Sequence, residues 1–110
     1  MPIKDQDYVN TYCVPESIMC ALLWGEKTGE PVGIEVSQIN ENENHFQAFA
    51  IHRGEKTYLT ADWLPKEGLI CRPHTRHFPD SKFLKDMSIP DVITEQQDVL
   101  KAFKPEGMAK

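Results

Sequence analysis

The chain of 110 residues has no hydrophobic run long enough to cross a bilayer; its longest, Ile18 to Trp24, is about a third of a membrane span. It also lacks any excess of positive charge, with 12 Lys and Arg against 17 Asp and Glu, a net charge of −5. That balance leaves nothing to neutralise a phosphate backbone or an anionic membrane surface, so neither nucleic acid nor a membrane is expected as a partner. The opening residues, Met1 to Asp7, hold no apolar segment of the secretory kind, which points to the cytoplasm. Cysteine is scarce and odd in number: Cys13, Cys20 and Cys71. In a reducing compartment three thiols argue against a disulfide framework. A Gly-rich phosphate loop, paired glycosidase carboxylates and a nucleophile elbow are all missing, which removes those chemistries.

What is present is the material of one small folded domain. Hydrophobic residues make up 40% of the chain and charged residues 26%. A chain of this length buries roughly 60–65% of its unfolded surface. We expect a single α+β domain over residues 1–110, with residues 1–7 and 104–110 frayed.

The pattern along the chain supports that class. Residues 1–12 read as a polar arm or short strand. A helix is expected to open at Pro15, where proline suits the first helical position and Glu16 suits the dipole. Ile18, Ala21, Leu22 and Gly25 then recur at helical spacing, with Met19, Leu23 and Trp24 widening the apolar face, and Gly29 with Pro31 ends it. This N-terminal helix is expected to be buried. The period then falls to two: Val32, Ile34 and Val36 share one face of a strand. Residues 40–44 read as a solvated loop. His45 to His52 is a central strand, apolar on both faces, and Lys56 to Trp63 returns after a turn at Arg53-Gly54-Glu55. Leu69-Ile70-Cys71 adds a short fourth strand, so the antiparallel sheet should have three to four. Residues 72–90 read as irregular. A C-terminal amphipathic helix runs from about Asp91 to Phe103, with Val92, Val99 and Phe103 on its inner stripe.

The sharpest chemical feature is Cys13, two residues ahead of the proline that is expected to open the buried helix. A thiol at a helix N-terminus faces unpaired backbone N–H groups that favour its thiolate. A nucleophile of this kind needs a base and an orienter for the base. His45, at the start of the central strand, is the candidate base and Asp62, near the end of the next strand, the candidate orienter. If the turn between those strands has two or four residues, His45 stands directly opposite Asp62; a three-residue turn sends the two side chains to opposite faces. Read without chemistry, Cys13 is a packing residue, His45 a polar strand edge and Asp62 a strand end.

The segment Cys13-Val14-Pro15-Glu16-Ser17, followed by an apolar helix to Gly25, resembles the nucleophile segment of papain-like cysteine peptidases. The bacteriocin-leader peptidases and the bacterial transglutaminase-like proteinases are the nearest in pattern. Asn44-His45-Phe46, a glycine turn and Leu59-Thr60-Ala61-Asp62 are similar to their histidine strand and the acidic residue after it. The resemblance covers residues 10–65 and implies a Cys13-His45-Asp62 hydrolase or transferase that acts on a peptide or isopeptide amide and needs no cofactor. The chain departs from the pattern in its short spacing from Cys13 to His45, in Val14 where those families carry glycine, and in Asp7 where the leader peptidases carry a glutamine. These departures imply a minimal or decayed member, in which backbone N–H groups at the start of the helix supply what oxyanion stabilisation exists.

A second constellation is Cys71-Arg72-Pro73-His74-Thr75-Arg76-His77. It could supply zinc ligands from Cys71, His74 and His77, or form a basic loop for an anion or an acidic partner. Trp24 and Trp63 read as aromatics at the edge of the core and His52 as exposed. From a different class of function, the domain is a non-catalytic protein–protein interaction module that works through that loop or through an open sheet edge.

Overall fold

The structure, a computed structural model, describes residues 5–102, with side chains from residue 12 onward. The expectations for residues 1–4 and 103–110, Phe103 included, lie outside the described residues. The fold is α+β. Helix α1 (Asp5–Thr28) is followed by strands β1 (Val32–Asn40), β2 (Glu43–His52), β3 (Glu55–Leu64), β4 (Gly68–Pro73) and β5 (Lys82–Met87), then by helices α2 (Ile89–Glu95) and α3 (Gln97–Ala102). The strands form one antiparallel sheet in the order β4-β3-β2-β1-β5. It has five strands rather than three to four.

Helix α1 differs most from expectation. It starts at Asp5, so Pro15 lies inside it, and residues 5–12 are neither an arm nor a strand. Proline in a helix removes one N–H and strains the turn before it. Here packing on both sides of the proline outweighs that penalty. Cys13, Val14, Ser17, Ile18, Cys20 and Ala21 form a continuous buried stripe. Leu22 and Leu23, which the spacing counted as core, are 51% and 44% exposed.

That stripe packs chiefly on β2. Cys13, Val14 and Ile18 meet Ile34 and Val36 of β1, Phe46 of β2 and Val92 of α2; Cys20 and Ala21 meet Ala48 and Ala50 of β2 and Leu59 of β3. A disulfide between Cys20 and Cys71 ties α1 to β4 with Cα atoms 5.2 Å apart. This corrects the expectation of three thiols. The two cysteines are brought within bonding range by helix–sheet packing, which counting residues does not reveal.

Alternate residues of β1 and β2 face away from α1, and they too are buried: Glu35, Ser37, His45, Gln47 and Phe49. Gly33 belongs to this face because a Cβ there would stand 2.7 Å from the Phe49 ring. The β1–β2 connection is only Glu41-Asn42, shorter than the expected loop, since the ladder runs on to Asn40 and Glu43. The β2–β3 connection is a two-residue turn with Arg53 at φ 52° and Gly54 at φ 80°, the mirror-image turn whose twist suits a hairpin.

Strand β5 falls in a stretch read as irregular. Its residues are almost all exposed, so no burial imposed an alternating pattern on the sequence. The expected final helix is two: Ser88 caps α2 by accepting from the Asp91 N–H, and Gln96, at φ −107° and ψ 29°, separates α2 from α3. Val92 is fully buried and Val99 packs against the same cluster.

Candidate functional site

Strands β2 and β3 pair from His52 with Glu55 to Phe49 with Tyr58. Beyond that point β3 pairs with β4, and β2 with β1. The seam that opens between them is bridged by a side chain. Buried Gln47 donates through Nε2 to Leu59 O at 3.1 Å and to Thr75 O at 2.9 Å, while its Oε1 accepts from His77 N–H at 2.7 Å. One amide thus stands in for missing ladder bonds and pulls residues 74–81 onto the sheet. His74 N–H adds a bond of 2.8 Å to Tyr58 O.

A second anchor holds the same segment. Glu35 is 3% exposed, and its Oε2 accepts from Arg76 Nε at 2.8 Å. Its Oε1 accepts from Lys56 Nζ and from Tyr58 OH, both at 2.8 Å. Burial raises the Glu35 carboxyl, yet the bonds from Lys56, Arg76 and Tyr58 outweigh it and hold the group below its usual range. The arginines of the suspected basic loop are therefore occupied: Arg76 by Glu35, and Arg72 by Asp62.

A cavity of about 460 Å³ lies at the seam, with α1 contributing one wall. Cys13, Glu16, Ser17 and Cys20 of α1 line it, with His45 to Ala48 of β2, Leu59 to Ala61 of β3, and His77 and Phe78. Cys13 and His45 therefore share one cavity although β2 directs Phe46 toward the helix. Asp62 is not among the lining residues; its carboxylate is hydrogen-bonded to Arg72 Nε. The turn has the register that would set Asp62 opposite His45, but the ladder ends before it reaches them.

The position next to His45 is filled by His77. His45 Nε2 and His77 Nδ1 are 2.9 Å apart, and His77 Nε2 lies 2.8 Å from Thr60 Oγ1. The Phe78 ring meets His45 edge-on at 4.7 Å. His45 is 7% exposed, and its Nδ1 is buried with no hydrogen-bond partner. A buried orphan acceptor is tolerated better than an orphan N–H. The favoured tautomers therefore run from His45 Nε2–H to His77 Nδ1 and from His77 Nε2–H to Thr60 Oγ1, leaving a lone pair on His45 Nδ1. Burial, reinforced by His77, pushes the His45 imidazole down to about 4. Burial, then His74, lowers His77.

Cys13 is 6% exposed. Burial pushes its thiol up to about 12; a hydrogen bond with the Phe46 backbone pulls the other way, and the Glu16 charge adds to the rise. It stands ninth in α1, not at a helix start. The N–H groups around it belong to helix interior, so the expected helix-terminal thiolate and oxyanion donors are not there. The resting pair is neutral thiol and neutral imidazole.

Sequence reasoning grouped His77 with Cys71 and His74 as candidate metal ligands. Cys71 is in the disulfide and His77 is on His45, and among the described residues no group of three His, Cys, Asp or Glu is arranged to hold a metal ion. No local signal links His77 to His45 across 32 positions; Gln47 and Glu35 make that link. Among the described residues no helix is long and apolar enough to cross a membrane. Comparison of the chain with protein-family models, with curated proteins and with solved structures finds no match.

Proposed function

We propose that the protein is a small cysteine hydrolase or transferase of papain-like chemistry, with Cys13 as nucleophile, His45 as base and His77, in place of Asp62, as the residue that orients the base. The observation that carries this reading is that Cys13 and His45 line one cavity, His45 with a buried Nδ1 that has no hydrogen-bond partner. In the proposed reaction the Cys13 sulfur attacks the carbonyl carbon of an amide or thioester as its proton passes to His45 Nδ1. His77 Nδ1 accepts from His45 Nε2 and steadies the imidazolium. The Thr60 hydroxyl, accepting from His77, keeps its own proton to donate to the developing oxyanion. Collapse expels the leaving group, which takes the proton from His45, and water then releases the acyl group from sulfur.

Because the resting thiol is protonated, this reading requires proton transfer in step with attack rather than a stored thiolate. Iodoacetamide should therefore label Cys13 slowly at neutral pH, while an activated acyl thioester should react faster. The test is mass spectrometry of the protein with a peptidyl thioester, together with steady-state release of the free thiol. An acyl adduct on Cys13 is expected, with turnover abolished in Cys13→Ala and reduced roughly 10²–10⁴-fold in His45→Ala. Turnover that survives Cys13→Ala, or no adduct with any acyl thioester, overturns the reading.

The upward displacement of the Cys13 thiol favours a second reading, a non-catalytic module that binds a peptide at the same cavity. On that reading Cys13→Ala leaves peptide affinity unchanged.

A further inference from the structure

We propose that the seam between β2 and β3 is a peptide site of strand-insertion type, in which an uncharged, extended segment enters between the two strands and hydrogen-bonds to the main chain of both. In its substrate form this rests on the hydrolase reading; as a statement about the seam it does not.

The register decides which backbone groups look into the seam. Ile51 N–H reaches Pro31 O, just ahead of β1, so the odd residues of β2 turn their backbone to β1 and the even ones, Phe46 and Ala48, to β3. On β3, Tyr58 O accepts from His74 N–H on the β4 side, and Leu59 O accepts from Gln47 on the β2 side. By the same alternation Ala61 presents its N–H and C=O to β2. The ladder stops at Phe49 with Tyr58. Ala61 therefore has no ladder partner on that side. Neither does the Ala48 N–H, because Gln47 Nε2 has taken its place on Leu59 O.

The space beside these groups suits a strand. Residues 45–48 and 59–61 line the cavity in unbroken runs. Consecutive residues point to opposite faces, so the space lies between the strands rather than on one side of the sheet. His45 and Thr60 are bridged by the His77 ring with a hydrogen bond at each end, 2.9 and 2.8 Å. A ring and two such bonds exceed the single spacing of about 4.8 Å that a ladder needs. Gln47 and His77 thus hold the strands apart before any peptide arrives, which spares the binding step that cost. His45 lines the same space, and its buried Nδ1 has no hydrogen-bond partner. Lys and Arg are absent from the lining. Recognition through the main chain reads the peptide's N–H and C=O groups, so proline and N-methyl residues are refused.

The test uses the oxidised full chain and the peptide acetyl-Val-Thr-Val-Thr-Val-amide, whose β-branched residues favour an extended backbone. Binding at millimolar peptide is followed by NMR and amide exchange. In the free protein the Ala48 and Ala61 amides should exchange faster than those of Gln47 and Thr60, which lie in ladders. Saturating peptide should slow both by about tenfold or more. An inserted strand uses both of its edges, so N-methylation of the valines or of the threonines should each weaken binding about tenfold. Ala61→Pro removes one seam N–H and leaves the β3–β4 ladder its donors; it should weaken the peptide to a similar extent. If that variant does not fold, the methylated peptides on the native chain decide. Absence of protection at Ala48 and Ala61, or a loss from only one methylated set, overturns the inference. Protection without acylation of Cys13 by the peptidyl thioester removes the hydrolase and keeps the seam. Acylation at equal rates by methylated and unmethylated thioesters, without protection, does the reverse.

Discussion

Two polar side chains are buried on the same face of the sheet, one strand apart, and they are treated in opposite ways. Glu35 has three donors on its two carboxylate oxygens and is held ionised. His45 has one nitrogen paired and one unpaired, and burial keeps it neutral. A buried polar group with every valence satisfied is a structural anchor; one with a lone pair facing inward has capacity left for a ligand or a proton. Glu35 holds the covering segment through Arg76, and that segment carries the histidine that touches His45. The satisfied group builds the site of the unsatisfied one.

Removing the anchor should have the largest effect. Glu35→Ala leaves Arg76 without its carboxylate in a half-buried setting and Lys56 with Asp86 alone, and should lower stability by about 3 kcal/mol, read from the urea midpoint. If the loss is under about 0.5 kcal/mol, the anchor behaves as an ordinary surface pair and the contrast fails.

The next effect is pH-dependent. The unfolded chain protonates His45 near 6.5, whereas the folded protein resists until about 4. Stability is therefore full above pH 6.5 and falls on acidification toward pH 4, by at most about 3 kcal/mol from this residue. His77 adds to the same slope, its imidazole being lowered too. Glu35, held below its usual range, adds stability above about pH 4.5 that is lost below it. His45→Gln should flatten the slope between pH 4 and 6.5 and leave the loss at lower pH in place. An unchanged slope would mean that His45 titrates as an exposed residue.

A smaller effect is expected at the seam. Gln47→Leu removes the amide that bridges β2, β3 and the covering segment, stranding Leu59 O, Thr75 O and His77 N–H. The loss should be about 2 kcal/mol, with earlier hydrogen exchange at residues 75–78 than at the hairpin turn. Uniform exchange in the variant would show that Glu35 alone suffices to hold the segment.

Much of the sheet is readable from the chain because its signals are local. Alternation in Val32 to Val36, the doubly apolar run of β2 and the Arg53-Gly54 turn follow from neighbours in sequence. Features made by distant contacts are not readable in this way. Helix α1 continues through Pro15 because Cys13 and Val14 bury against Ile34, Val36 and Phe46, in strands far along the chain. The Cys20–Cys71 bond depends on the same packing. Strand β5 is exposed on its outer edge and so carries no alternation. At the site, chain order and element placement point to Cys13 and His45. Asp62 follows only from extending a ladder that stops at Phe49, and no turn residue reports where a ladder ends. His77 took that place through Gln47 and Glu35, two residues that pattern analysis reads merely as strand positions.

The Cys20–Cys71 bond closes a covalent ring that contains β1, β2, β3 and both of their tight turns, its ends 51 positions apart in sequence. By chain entropy alone a ring of that circumference disfavours the unfolded ensemble by about 4 kcal/mol. It also changes what a protease can do. The exposed tips at Glu41-Asn42 and Arg53-Gly54 are natural points of attack, yet a single nick at either leaves both fragments fastened together, and they separate only when a reductant opens the clasp.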